Sequence, residues 1–282
     1  MLVRLADAPV SAIAFWRLSL SLLLVLPLLG VSGEWREVRR LSGPEWLWVG
    51  VAGGALALHF VAWFLSLEYT SVASSTVLVT AHPLYVGLLS ALWLREPPSA
   101  KEWLAIVVAT GGAFWIGWGD FHLGGEAFVG DLLAALAALC AALYFIAGRR
   151  LRGGLGLWSY VAPVYLLAAL LIGGSMLVRD VPATGYSTET WMLFAAMALG
   201  PMLLGHTSFN WALRHVRAYV VSLVVLLEPV GATVLAVLVL GSGERPTVNT
   251  VIGGLAILFG MALLVREQAR RSASARPLPE GG

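Results

Sequence analysis

Glu228 and His82 each stand immediately before a proline, Pro229 and Pro83, near the middle of a long apolar run. A carboxylate placed there could accept a proton or hold a cation, and an imidazole could titrate or form hydrogen bonds. Proline lacks a backbone donor and clashes with the preceding turn, so each helix is expected to kink and free carbonyls for a solute or an ion. His206 and Asn210 are one helical turn apart, as are His59 and Trp63, so each pair lies on one helix face. Those faces offer hydrogen bonds and an aromatic wall to an organic solute, or equally join neighbouring helices. Tyr144 and Tyr85 add hydroxyl groups to the same inventory. Arg17 needs a counter-charge or a hydrated position, and two roles stand open for it: a structural ion pair or recognition of an anionic group. Glu228 has its own plain alternative, a buried pair with Arg17 or a histidine that only fixes packing.

Other chemistries fit poorly. His59, His82 and His206 could surround a metal in an intramembrane enzyme, but HxxxH and HExxH spacings are missing and acidic residues within the apolar runs are few. No GxxxxGK[ST] phosphate loop occurs, so a nucleotide-driven pump within this chain is not expected. No cofactor or metal is expected, and energy would come from gradients. Cys140 stands alone, which excludes an internal disulfide and a thiolate metal cluster.

The elements that position these residues follow from composition. Of 282 residues, 59% are hydrophobic and 12% charged, against roughly 25% charged in a soluble domain. The surrounding solvent must be lipid. A bilayer-spanning helix needs about 20 apolar residues, and nine stretches qualify: 10–31, 43–67, 71–94, 100–118, 127–148, 158–179, 188–213, 217–240 and 247–265. Short connections leave one domain over 1–265, with a polar tail at 266–282 expected to be disordered and cytoplasmic. Ser42 with Glu45 and Ser99 with Glu102 read as capping boxes. Trp46, Trp48, Trp103, Trp158 and Trp191 sit at span ends as interface anchors.

Alternating the connections places fourteen Arg and Lys residues on one side of the membrane and three, Arg4, Arg179 and Arg245, on the other, with Arg17 inside a span. The rich side is the cytoplasmic one, and it holds the C-terminus. Arg149 and Arg150 are read as topology markers, and Glu96 and Glu244 as helix-end caps or gate contacts. A cleaved signal peptide is the competing reading of the first span, opposed by Arg17 in its apolar centre. The net charge of +2 gives no reason to expect nucleic acid. Small-residue ladders at Ala105, Ala109, Ala113 and Gly117 and at Ala134, Ala138 and Ala142 argue for close helix packing. Gly50 and Gly54 could pack within the chain or form a homodimer contact.

The segment SSTVLVTAHPLYVGLLSALWLREPPS resembles VVSLVVLLEPVGATVLAVLVLGSGERPT at an offset of 146, becoming 148 after an insertion near Gly241. Pro83 falls on Pro229, His82 on Glu228 and Glu96 on Glu244. An odd number of spans separates the blocks, so the two halves, 1–119 and 120–265, are expected to be inverted in the membrane. The segments APVSAIAFWRLSLSLLL, HPLYVGLLSALWLREPPSAKEWLAIVVATGG, GDLLAALAALCAALYFIAGRRL and LLEPVGATVLAVLVLGSGERPTVNTVIGGLAILFGMALL resemble EamA-like members of the drug/metabolite transporter superfamily.

That resemblance implies an all-α polytopic bundle of ten helices, two inverted sets of five, around a central substrate cavity. The segment around Phe15, Trp16 and Arg17 resembles the family's second helix, so the first half is expected to lack its first. The function implied is secondary transport by alternating access, exporting a small organic metabolite or drug-like solute across a bacterial inner membrane; the mid-span position of Glu228 adds protons as a candidate coupling ion. A lipid flippase or a non-transporting membrane scaffold is the alternative. The pathway residues expected are Glu228, His82, His206, Asn210, His59, Trp63, Tyr144, Tyr85 and Arg17.

Overall fold

The computed structural model describes residues 2–117, 125–228, 230–231 and 247–274. The expected kink at Pro229, the loop residues Glu244 and Arg245, and the tail beyond Ser274 lie outside these. Long helices form where apolar runs have no neighbouring water and every backbone polar group must be satisfied within the segment. They are α1 (Val10–Val31), α2 (Gly43–Tyr69), α3 (Val72–Val79), α4 (His82–Leu89), α5 (Ala100–Gly117), α6 (Gly125–Arg152), α7 (Leu157–Val178), α8 (Thr188–Met197), α9 (Ser208–Ala212), α10 (Ala218–Val225) and α11 (Val248–Ser274). No strand occurs among the described residues. The fold is an all-α membrane bundle.

Seven described helical segments are long and apolar enough to cross a bilayer, against nine expected. The difference has two sources. Helix α5 occupies the expected fourth span, but its first turn carries Lys101 and Glu102, which lower its mean hydropathy. The eighth span is described only as far as Gly231. At the C-terminal end, α11 continues to Ser274, so residues 266–274 of the expected disordered tail are helical. The reason lies on α5: Glu102, fully buried, accepts from Gln268 Nε2 at 2.6 Å and pairs with Arg271 at 3.0 Å, while Lys101 reaches Glu267 at 3.6 Å.

Two spans are interrupted at matching places. Helix α3 ends at a cap on Thr80, and α4 restarts with Pro83 in its first turn, where a missing N–H costs nothing. Helix α10 ends at a cap on Leu226, and Leu227 and Glu228 resume helical conformation. Each break falls three residues before a proline, and α3 and α10 have the same length of 8 residues. Two π-helical runs add further irregularity, Ser90–Leu94 after α4 and Ala198–Thr207, which joins α8 to α9 and contains Pro201 and His206. Such widened turns leave carbonyls unpaired and redirect side chains.

Packing holds these breaks in place. One core cluster joins α1, α2 and α7 through Leu18, Leu56, Phe60 and Tyr165. A second gathers Val86, Ile106, Ile146, Tyr219 and Ile257. Helix α5 lies along α11, and the approach there is close: a methyl group on Gly112 would stand 2.6 Å from the Gly253 carbonyl oxygen. The ladder residues Ala105, Ala109, Ala113, Ala134, Ala138 and Ala142 are all buried. A methyl group on Gly50 or Gly54 would meet no atom of the described residues within 4 Å; Gly53 between them takes the tight contact, against Leu167.

Candidate functional site

A cavity of about 620 Å³ opens among α1, α2, α3, α4, α6, the second π-helical run and the restart after α10. Arg17, His59, Trp63, His82, His206 and Glu228 all line it. The two helix breaks deliver His82 and Glu228, and the π-helical run delivers His206. Glu228 is exposed, its surface opening into the cavity. Among the described residues it forms no ion pair with Arg17 or with any histidine.

Four buried polar atoms around this space have no hydrogen-bond partner among the described residues: Arg17 Nε, Trp63 Nε1, His82 Nε2 and His206 Nδ1. Buried polar groups in folded proteins are almost always paired, so four orphans around one cavity need a cause. The neighbouring geometry sets the chemistry each presents. His59 Nδ1 lies 2.8 Å from the Ala137 carbonyl and His82 Nδ1 lies 3.1 Å from that of Val79. A carbonyl can only accept, so each Nδ1 carries the hydrogen and, in the neutral ring, Nε2 is left as an acceptor. Arg17 and the Trp63 indole supply donors. The cavity thus offers donors and acceptors on an aromatic surface, with Phe145 stacked on His82 at 5.5 Å between ring centres.

Asn210, Tyr144 and Tyr85 are placed elsewhere. Asn210 is fully buried and donates to the Tyr144 hydroxyl at 2.5 Å. Tyr144 lies 6.0 Å, ring to ring, from His206, so this pair supports the cavity from behind. Tyr85, a turn beyond His82, packs half-buried against the second core cluster and is not among the residues that line the cavity.

Residues the sequence did not single out complete the site. Phe60 lies under Arg17, with the guanidinium carbon 4.2 Å from its ring centre, and Phe64 is 6.0 Å away. The i, i+4 spacing of Phe60 and Phe64, next to that of His59 and Trp63, is the one signal that could have pointed to them. Thr76, Thr80 and Phe209 also line the space. Among the described residues no group of three His, Cys, Asp or Glu could hold a metal ion.

Below the cavity two arginines tie the helices together. Arg149 donates to Glu96 and to the carbonyls of Leu213 and Arg214. Arg152, fully buried, donates to the Asn210 carbonyl at 2.9 Å and to that of Leu155 at 2.5 Å. Arg149 is thus a cross-helix fastener as well as a positive charge at a span end; Arg150 lies 5.0 Å from the Trp48 ring centre.

Comparison with known proteins fits this arrangement. The EamA-like transporter family matches residues 1–118 and 128–266. "Uncharacterized transporter YyaM" of Bacillus subtilis (strain 168) is 26% identical over 259 residues, covering 89% of this chain and 83% of that protein. "Pseudopaline exporter CntI" of Pseudomonas aeruginosa is 29% identical over 220 residues, covering 77% and 73%. A solved crystal structure with 20% identity superposes at a TM-score of 0.78 over 94% of this chain and 90% of its own, a likeness of fold. With matched segments spanning nearly the whole chain, this multi-pass membrane protein belongs to the EamA-like transporter family.

Proposed function

We propose that the protein is a secondary transporter that exports a small organic solute by alternating access, with the cavity as its binding site. The observation that supports this most is the ring of four unpartnered polar atoms around one space. A solute with its own donors and acceptors would satisfy them, and water would do so between cycles. Two halves, 1–119 and 120–265, would rock about the site, and the matched breaks at Thr80 and Leu226 are its two-fold-related walls. Arg149 with Glu96 and Arg152 with Asn210 would close the cytoplasmic side, because the arginine-rich connections lie there. The cavity would then face outward across a cell inner membrane, with the C-terminus in the cytoplasm.

Glu228 would take a proton in exchange for solute, as the ionisable group of the second broken helix. Proteoliposomes holding the purified protein test both parts. Solutes released from cells carrying the gene would be the candidates, and flux would be read with and without a pH gradient. Flux stimulated by the gradient, and losing that stimulation in Glu228→Gln, is expected. A folded protein that moves none of the candidate solutes, while binding them or moving lipid instead, would mark a scaffold or a flippase.

A further inference from the structure

We infer that the cavity selects solutes bearing an anionic group, a carboxylate or a phosphate, and that Arg17 is the residue that binds it. This deepens the proposed transport function and rests on the cavity being the solute site. Arg17 is 3% exposed, in the N-terminal half of a helix long and apolar enough to span a bilayer. A guanidinium does not lose its proton under ordinary conditions, so the positive charge has to be met by something. Among the described residues, no ion pair or hydrogen bond to its Nε meets it. No carboxylate lies within ion-pair distance, Nε has no acceptor, and Glu228 lines the same cavity without touching it.

The Phe60 ring at 4.2 Å supplies part of the stabilisation and does more for geometry. A cation held over an aromatic face keeps its attraction without using its N–H groups. The planar fork is therefore fixed in orientation and left free to donate. Two parallel donors on one plane match the two oxygens of a carboxylate or phosphate. The body of the solute would then lie toward Trp63, Phe145 and the acceptor nitrogens of His59 and His82. Glu228, bearing the opposite charge and set apart from Arg17, keeps the empty cavity close to neutral. An anion entering it meets one unpaired cation.

The test uses the full chain purified in an uncharged maltoside detergent. Its thermal unfolding midpoint is followed while four probes of one shape are titrated: 3-phenylpropionate, phenyl phosphate, 3-phenylpropionamide and phenethylamine. A ligand that binds only the folded state raises the midpoint saturably. The carboxylate or the phosphate is expected to bind at least about tenfold more tightly than the amide and the amine, as loss of a charge-assisted pair implies. Which of the two anions binds tighter identifies the group. Arg17→Lys should keep a weaker preference and Arg17→Gln none.

An amide that stabilises as well as the acid, or anions that fail to stabilise at all, overturns the inference on the unsubstituted protein alone, even if Arg17→Gln does not fold. A preference retained in folded Arg17→Gln does the same. Flux separates the two readings. Equal transport of acid and amide leaves transport standing and removes the anion site. Selective binding without flux of any probe or cellular solute removes transport and leaves the site.

Discussion

Arg149 grips both carboxylate oxygens of Glu96, with Nη2 at 2.8 Å from Oε1 and Nε at 3.2 and 3.3 Å from the two oxygens. Both side chains are about three-quarters buried. Glu96 follows the first broken span and Arg149 ends α6, so the pair ties two parts of the chain that are 53 residues apart.

If this pair closes the cytoplasmic side, weakening it should lower the share of molecules whose cavity faces outward. A pair of this exposure is worth about 1 kcal/mol, or roughly fivefold in population. In a Cys140→Ala background, Thr76→Cys should react measurably more slowly with an impermeant maleimide when Glu96 is changed to Gln. Exchanging the charges, with Glu96→Arg and Arg149→Glu together, should restore much of the rate. An unchanged rate would show that the pair has no part in closure.

Glu102 anchors the last helix. It is fully buried and accepts from Tyr219 at 3.0 Å and Gln268 at 2.6 Å, besides pairing with Arg271. Its own backbone N–H is held by Ser99 Oγ at 3.3 Å. Glu102→Ala should destabilise the protein by about 2 to 3 kcal/mol through lost charge-assisted bonds. Residues 266–274 should become sensitive to protease first, which limited digestion would detect.

Acid should loosen the start of α7. Glu37 Oε2 accepts from the Gly156 N–H at 2.7 Å and the Ser159 hydroxyl at 2.6 Å, and Glu34 accepts from Trp158 and Ser159 N–H groups. Partial burial alone would push the Glu37 carboxyl up, but the bonds from Ser159 and Gly156, with Arg214 and Arg152 nearby, outweigh it and hold it below the usual carboxylate range. A depressed carboxylate contributes stability above its unfolded value, and that contribution is lost as pH falls through the folded one. Unfolding midpoints measured from neutral to acid pH should therefore drop less steeply in Glu37→Gln than in the unsubstituted protein. Equal slopes would contradict this.

Much of the fold was legible because lipid imposes one rule on every span. The apolar runs located the helices, and the matching of Pro83 with Pro229 pointed to the two places where α3 and α10 stop. The cavity residues His82, Glu228, His206, His59, Trp63 and Arg17 stood out as polar groups in apolar surroundings. What composition could not carry were contacts between distant positions. Residues 266–274 look like a solvated tail until Glu102 and Lys101, on a helix more than a hundred residues earlier, give their charges partners. Phe60 reads as ordinary core until Arg17 is seen lying over it. Tyr85 and Tyr144 carry the same hydroxyl as a cavity residue would, but Tyr144 is engaged by Asn210 behind the cavity and Tyr85 packs against the second core cluster.

The most direct test of the central claim, that the cavity ringed by unpartnered polar atoms is where solute binds, is the labelling rate of Thr76→Cys in Cys140→Ala proteoliposomes, measured with increasing concentrations of a transported solute. The account predicts reaction from the non-cytoplasmic face and saturable protection at the concentrations that half-saturate transport. Transport that saturates while labelling is unaffected would place the solute elsewhere and contradict it.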